Sequence, residues 1–154
     1  MYVTAELMRR GWLAAMTARG SRSFDVLARR VDAPVFTAIR VKTGDSAQGA
    51  FLWIAKKDGT LFLDLSEMGD FTVIVDLPLE GNPIFYVLPT TVLDDHLRTN
   101  HAEWLKKPGA KGQRHSPDTK MRALWFDQRT DQIGHGYLIK FGQYRDAWNL
   151  LDGK

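Results

Sequence analysis

The first ninety residues alternate between short apolar segments and turn residues, a pattern that is typical of strands. A short helix is predicted over residues 3–10. Gly11 is expected to end it, because glycine adopts a positive φ at a helix terminus without strain. Strands are predicted over residues 12–16, 24–30, 35–43, 50–56, 60–64, 71–76 and 84–88. The pattern therefore predicts a sheet-rich N-terminal part that begins with one helix.

Two of these strands carry a more specific signal. The run Phe71-Thr72-Val73-Ile74-Val75-Asp76 is apolar at both odd and even positions. Because successive side chains of a strand point to opposite faces, such a run is expected to be buried on both faces, as a central strand is. Lys57-Asp58-Gly59 is a turn sequence and predicts a hairpin between residues 50–56 and 60–64.

After Pro89 the apolar residues recur at helical spacing. Thr90 or Thr91 can cap a helix that runs to about Lys106, and Pro108-Gly109 ends it. A last helix is predicted over residues 142–151, and it places Tyr144, Ala147, Trp148 and Leu151 on one stripe that faces the core.

Composition adds the setting. The chain has 154 residues, 44% of them hydrophobic, which is enough for one domain with its own core over residues 1–154. It has no cysteine, no run of 18 apolar residues and no signal segment at its start. We therefore expect a cytoplasmic protein without a membrane span, disulfide or thiolate metal site.

The candidate chemistry lies between Phe24 and Thr43. Asp25 lies on one predicted strand, and the next predicted strand carries Arg40 and Lys42. Side chains two residues apart on a strand share a face, so Arg40 and Lys42 project together and a hairpin pairing can bring Asp25 beside them. A carboxylate that binds Mg²⁺ and a lysine that orients or activates water are parts of a phosphodiester hydrolase.

These residues belong to a wider set of motifs, which are Ala5-Glu6-Leu7-Met8-Arg9-Arg10-Gly11-Trp12, Phe24-Asp25-Val26-Leu27, Ile39-Arg40-Val41-Lys42-Thr43 and the segment 104–112, Trp-Leu-Lys-Lys-Pro-Gly-Ala-Lys-Gly. Across most of its length the chain resembles the PD-(D/E)xK nuclease superfamily, and in particular its small bacterial members. The resemblance implies a restriction-endonuclease-like α/β fold, with a mixed central sheet flanked by helices, and DNA as the partner.

The same resemblance implies individual roles. Asp25 would be a metal ligand, Lys42 the catalytic lysine, and Glu6 an acid supplied by the first helix as a second ligand for Mg²⁺. The superfamily has Gln or Glu where this chain has Arg40. A guanidinium cannot ligate a cation, and at ~4 Å with an effective dielectric constant of ~20 it would repel one by roughly 4 kcal/mol.

Three interpretations of Arg40 remain open at this point. The side chain can turn away while Glu6 supplies the second carboxylate, or it can contact the scissile phosphate through its two-pronged guanidinium. The third interpretation is an ion pair with Asp25 or Glu6 in a centre that has lost its activity.

Basic residues supply the candidate nucleic-acid contacts. The first thirty residues are rich in arginine, including Arg9 and Arg22, and the segment 106–122 is rich in lysine and arginine. Neutralised phosphates release counterions, so such contacts predict salt-dependent binding. The residues expected to contact nucleic acid are Arg9, Arg22, Lys106, Lys107, Lys111 and Arg114. The alternative function is a catalytically inactive interaction module on the same fold, which acts as a homodimer or binds a protein partner.

Overall fold

The computed structural model describes residues 1–18, 23–45, 49–66, 69–125 and 136–153. The helices are Tyr2–Arg9 (α1) and Thr90–Lys106 (α2). The strands are Trp12–Met16 (β1), Val26–Arg30 (β2), Thr37–Gly44 (β3), Ala50–Ile54 (β4), Asp70–Asp76 (β5), Ile84–Pro89 (β6), Met121–Trp125 (β7) and Gly136–Tyr137 (β8). Two 3₁₀ helices, Leu138–Tyr144 and Trp148–Asp152, follow β8.

Five strands form the central sheet in the order β1-β2-β3-β5-β6. The β3–β5 pair is parallel, with Arg40 opposite Thr72 and Lys42 opposite Ile74, and the other three pairs are antiparallel. A second sheet has the order β4-β7-β8, in which β4 and β7 run antiparallel. The predicted fold class, an α/β protein with a mixed central sheet flanked by helices, is confirmed.

The central sheet is covered on both faces. On one face, Val73 and Val75 of β5 pack with α1 and with the 3₁₀ helix Trp148–Asp152. On the other face, Ile74 packs with α2 and with strands β4 and β7 of the second sheet. The prediction that the run 71–76 forms a buried central strand is therefore confirmed. The same alternation turns Arg40 and Lys42 toward the face that carries the second sheet.

The predicted hairpin between residues 50–56 and 60–64 is wrong. The turn at residues 57–59 does form, with the Thr60 amide donating to the Asp58 carboxylate, but residues 60–64 are not a strand. Strand β4 pairs with β7 instead. Phe62 enters the core, and the Leu63 carbonyl accepts a hydrogen bond from Arg40, so this segment is held by long-range contacts rather than by strand pairing.

The two helix predictions after Pro89 need smaller corrections. Helix α2 begins at Thr90 with Pro89 as its N-cap residue, and the Thr90 hydroxyl donates to Asp70 rather than capping the helix. The predicted last helix is two 3₁₀ helices. The helical conformation is interrupted between them at Asp146, which has a φ of 51°. The amide of Asp146 donates to the Phe85 carbonyl of β6.

Within the described ranges, no helix is both long enough and apolar enough to cross a membrane.

Helix α1 ends at Arg9 and Gly11 follows at a φ of 80°, as the sequence predicts.

Candidate active site

Asp25 and Lys42 line one cavity, which has a volume of about 270 Å³. It lies on the face of the central sheet that the second sheet covers, and Arg40 lines it as well. The rest of its wall comes from β4, from the segment after the 57–59 turn and from the residues before β2, including Trp53, Lys56, Phe62 and Ser23. The structure therefore brings three of the four sequence-predicted catalytic residues together.

Asp25 is held at the mouth of this cavity by backbone contacts. It immediately precedes β2, and its amide donates to the Ile39 carbonyl at 2.9 Å. Its Oδ2 accepts a hydrogen bond of 2.7 Å from the amide of Val41. The residue is exposed to solvent. The carboxylate is thus fixed beside β3 while remaining accessible to a ligand.

Lys42 is half-buried beside Asp25, and its Nζ lies 5.3 Å from the centre of the Trp53 ring. Burial of the group disfavours its ammonium form. Burial therefore lowers the pKa of Lys42 below its usual value of 10.5. A lysine with a lowered pKa loses its proton more readily, which suits a group that exchanges protons.

This pKa shift predicts a pH dependence of stability. Below the pKa of folded Lys42, the residue is protonated in both states, and the cost of burying the ammonium is present in full. As the pH rises through that pKa toward 10.5, the unfolded state binds more protons than the folded state, so the free energy of unfolding increases. We expect Lys42→Met to abolish this increase when urea unfolding of both proteins is followed over that pH range. Parallel curves for the two proteins would contradict the prediction.

Arg40 is not free to act at the cavity, because Asp70 holds its guanidinium. Nε and Nη2 of Arg40 donate to the two carboxylate oxygens of Asp70 at 3.1 and 2.8 Å. Nη2 also donates to the Leu63 carbonyl at 2.7 Å, and the guanidinium lies over the Phe62 ring. The two paired side chains are only 11% and 5% exposed. Thr90 extends the network by donating to Asp70.

This geometry corrects the expected partner of Arg40, which pairs with Asp70 and not with Asp25 or Glu6. Asp70 lies close because β3 and β5 are parallel neighbours, and it stands opposite Ala38, two positions before Arg40. The negative charge of Asp70 also offsets the repulsion that an isolated Arg40 would exert on a cation. Position 40 still supplies neither a carboxylate nor an amide oxygen as a metal ligand.

Glu6 lies outside the wall of the cavity that Asp25 and Lys42 share. Its carboxylate accepts hydrogen bonds from Arg9 and Arg10 of its own helix and the following turn, at 2.7 to 3.0 Å. These contacts, led by the Arg9 hydrogen bond, lower the pKa of Glu6. Glu6 does not line the cavity that Asp25 and Lys42 share. The structure therefore does not bring this fourth predicted residue to the others.

The donor set fits Mg²⁺ only in part. Asp25 is the one carboxylate in the wall of the cavity, and no group of three acidic or histidine side chains suited to a metal occurs in the described ranges. Mg²⁺ is commonly held by one or two carboxylates together with waters and substrate phosphates. Asp25 alone could hold the ion only weakly, with its other ligands coming from water and phosphate.

The predicted nucleic-acid contacts are spread over several surfaces. Arg9 is exposed and bound to Glu6, and Lys106 pairs with Glu103 at 2.6 Å. Lys111 and Arg114 are exposed and Lys107 is half-buried, all three in the irregular segment between α2 and β7. Arg22 lies outside the described residues. The segment 107–120 ends beside β4, which lines the cavity of Asp25 and Lys42. The contact is a hydrogen bond that the amide of Ala55, the residue after β4, donates to the carbonyl of Lys120.

Sequence reasoning missed Asp70 and Lys56. Asp70 begins a strand whose other residues are mostly apolar, and a buried acid in that position requires a cationic partner. This requirement was a signal in the sequence that Asp70 would pair with a cation, which in the structure is Arg40. Lys56 carried no signal, because only the pairing of β4 with β7 places the end of β4 at the cavity.

No model of a protein family matches the chain, and no curated protein matches it. Several solved structures are similar to it, and two of them are described below. One is Hjc, a Holliday junction resolvase from the archaeal hyperthermophile Archaeoglobus fulgidus, with 17% identity and a TM-score of 0.40 over 58% of this chain and 74% of that one. The other is the bacterial homing endonuclease I-Ssp6803I, with 16% identity and a TM-score of 0.46 over 97% of this chain and 82% of that one.

Similarities at this level assign no function to the chain. A function must come from the side chains of the site.

Proposed function

We propose that this chain is a nucleic-acid-associated protein of the PD-(D/E)xK type, and that the cavity of Asp25 and Lys42 is a degenerate nuclease centre that contacts a phosphate of DNA. The observation that carries the proposal is the common cavity of these two residues on neighbouring segments of one sheet. Cleavage through Mg²⁺ would be weak or absent, because the described residues contribute no second carboxylate to the cavity of Asp25.

The charges at the cavity favour an anion. Lys42 and Lys56 both line it, and neither forms an ion pair within the described part of the chain. Arg40 is neutralised by Asp70, which leaves Asp25 as the only acid without an ion pair that the described residues contribute to the wall. The two ammonium groups can bind phosphate oxygens, and the exposed carboxylate needs a cation to approach the same phosphate. Nucleic acid and Mg²⁺ would therefore bind more tightly together than either does alone.

The first test is a titration with duplex DNA at two or more salt concentrations. We expect binding at ~50 mM salt and a steep fall in affinity as the salt concentration rises, because several phosphates are neutralised. Replacing Lys106, Lys107 and Lys111 with alanine should reduce the slope of log K against log salt by about 0.9 for each phosphate that the variant no longer neutralises. Fluorescence anisotropy of a labelled duplex measures both quantities.

The matched control is Arg145→Ala, which removes an exposed cation next to β6, away from the 107–120 segment. This variant should keep the wild-type slope. A plasmid-nicking assay with Mg²⁺ or Mn²⁺ adds the chemical test, in which wild type should not exceed Asp25→Ala. Absence of DNA binding at ~50 mM salt, where phosphate contacts are strongest, would refute the proposal.

The second candidate is an interaction module without phosphate chemistry. The segment before β3 favours it, because Val35 and Phe36 are 73% and 59% exposed and form an apolar surface. A homodimer or a protein partner could cover them. Size-exclusion chromatography with light scattering distinguishes the two, since this candidate predicts association that does not weaken with salt.

A further inference from the structure

A second cavity of about 290 Å³ lies between α2 and the β4–β7 pair, apart from the cavity of Asp25 and Lys42. Most of its wall is apolar or aromatic, with Trp104 from α2 and Trp125 from β7. Four polar residues also line it, Asn100, His101, Thr119 and Arg122. Its volume is at the lower end of the roughly 300–1,000 Å³ that is usual for small-molecule sites, which are mostly apolar with a few polar groups.

Two of the polar groups lack hydrogen-bond partners. Asn100 Nδ2 and His101 Nε2 are buried, and neither has a partner within the ranges that the structure describes. A buried donor that is left unpaired costs about 1–3 kcal/mol, so a ligand that pairs with it gains the corresponding affinity. The Asn100 amide is a donor, and it therefore requires an acceptor on the ligand.

Arg122 adds a positive charge that no acid offsets. Its Nη1 donates to the backbone carbonyls of Thr119 and Met121 at 2.8 and 3.1 Å, and no carboxylate pairs with it in the part of the chain described. Burial, together with the nearby charge of Arg98, lowers the pKa of Arg122. Burial and the Arg122 charge also lower the pKa of His101, which favours its neutral form. The cavity therefore favours an anion at Arg122.

The aromatic wall favours a flat ligand. Trp104 stacks with His101 and with His115 at ring-centre distances of 5.6 and 3.7 Å, which holds its indole in place. The face of the indole against His115 is already occupied, so a ligand ring would lie against the remaining aromatic surface of the wall. Fixed aromatic side chains bind flat rings by stacking, and stacking on a nucleobase contributes about 1–3 kcal/mol. A ligand that has a flat ring, hydrogen-bond acceptors and a negative charge matches all three features of the cavity.

We propose that this cavity binds a nucleotide, with its base against the tryptophans and its phosphate at Arg122. The nucleotide would be an unpaired residue of a DNA strand or a free mononucleotide, since both present the same chemistry. The inference rests on the proposed function, because it names the part of the nucleic acid that a second site would hold. It extends the contact beyond the backbone phosphates to a base, which in a duplex must first leave its stack.

The test compares ligands that share parts of the nucleotide. Isothermal titration calorimetry is run with deoxyadenosine monophosphate, deoxyadenosine and deoxyribose 5-phosphate. We expect the monophosphate to bind at least tenfold more tightly than either fragment, because base and phosphate contacts add. Fluorescence anisotropy then compares a plain duplex with a duplex that has a single unpaired adenine. Tighter binding of the second duplex identifies a base within a strand as the ligand, and equal binding identifies the free nucleotide.

Two variants locate the site. Arg122→Gln should weaken binding of the monophosphate roughly tenfold and leave that of deoxyadenosine unchanged, because it removes a hydrogen bond to a charged group. Arg145→Gln is the matched control, since Arg145 is exposed and does not line the cavity. If Arg122→Gln does not fold, Ala123→Leu serves instead, because it narrows the cavity without changing its charge.

The outcomes separate the two proposals. Equal affinity for the monophosphate and deoxyribose 5-phosphate, or no binding of any nucleotide at millimolar concentration, refutes the nucleotide site. The duplex result at low salt then still stands for the proposed function. Nucleotide binding without any duplex binding keeps this site and refutes the DNA-phosphate function of the Asp25 cavity.

Discussion

Replacing Asp70 with alanine is expected to lower the free energy of unfolding by about 3–5 kcal/mol, because it leaves the buried guanidinium of Arg40 without its partner. Asp70 accepts hydrogen bonds from Arg40 and Thr90, so this single carboxylate joins β3, β5 and the start of α2. Urea unfolding measures the decrease. The same network explains why Arg40 cannot be treated as a side chain that turns freely toward a ligand.

Two comparisons sharpen this prediction. Glu103→Ala breaks the ion pair with Lys106, in which both side chains are exposed, and should lower the free energy of unfolding far less than Asp70→Ala does. The double variant Arg40→Met, Asp70→Leu removes both charges and should recover most of the stability, since apolar replacements of a buried pair are often neutral or better. Equal decreases for Asp70→Ala and Glu103→Ala would contradict a structural role for the pair.

The pair also changes the expected behaviour of Arg40→Gln. From the sequence, this substitution should restore an oxygen ligand and remove a repelling charge. In the structure it also leaves Asp70 buried without a cation, so unfolding and ligand binding must be measured on the same sample. Calorimetry with Mn²⁺ should be performed under conditions in which the variant is shown to be folded.

Trp148→Ala should have a comparable effect on stability, about 3–5 kcal/mol, as expected for a buried tryptophan. Trp148 is 3% exposed, its ring packs edge-on against Phe85 at 5.3 Å between centres, and the Arg10 guanidinium lies 5.2 Å from the ring centre. The residue therefore joins the C-terminal segment to α1 and β6. A decrease of this size, in one cooperative transition, would support the expectation of a single domain.

Leu79→Ala is the control for this substitution, because Leu79 is 87% exposed and its truncation should change stability by no more than about 0.5 kcal/mol. A second, separate transition in Trp148→Ala would indicate that the C-terminal segment unfolds independently. That result would contradict a shared core.

Several features follow from the sequence alone, because the signals that specify them are local. The period of apolar residues places α1, α2 and most strands, and Gly11 marks the end of α1 through its positive φ. The uninterrupted apolar run of β5 predicts burial on both faces. Strand alternation also predicts that Arg40 and Lys42 share a face, and the pairing of β2 with β3 brings Asp25 to the same cavity.

Only the tertiary structure decided which distant residues and strands of the chain pair with each other. Arg40 pairs with Asp70, which is thirty residues away in sequence, because two parallel strands bring them together in a buried place where neither charge can remain alone. Strand β4 pairs with β7 rather than with the segment after the 57–59 turn, and Glu6 pairs with the arginines of its own helix. Periodicity specifies which face a side chain occupies, but it carries no information about which distant residue faces it. For that reason the sequence determined the fold class and the position of Asp25 and Lys42, whereas the ion pair of Arg40 with Asp70 was determined by tertiary packing.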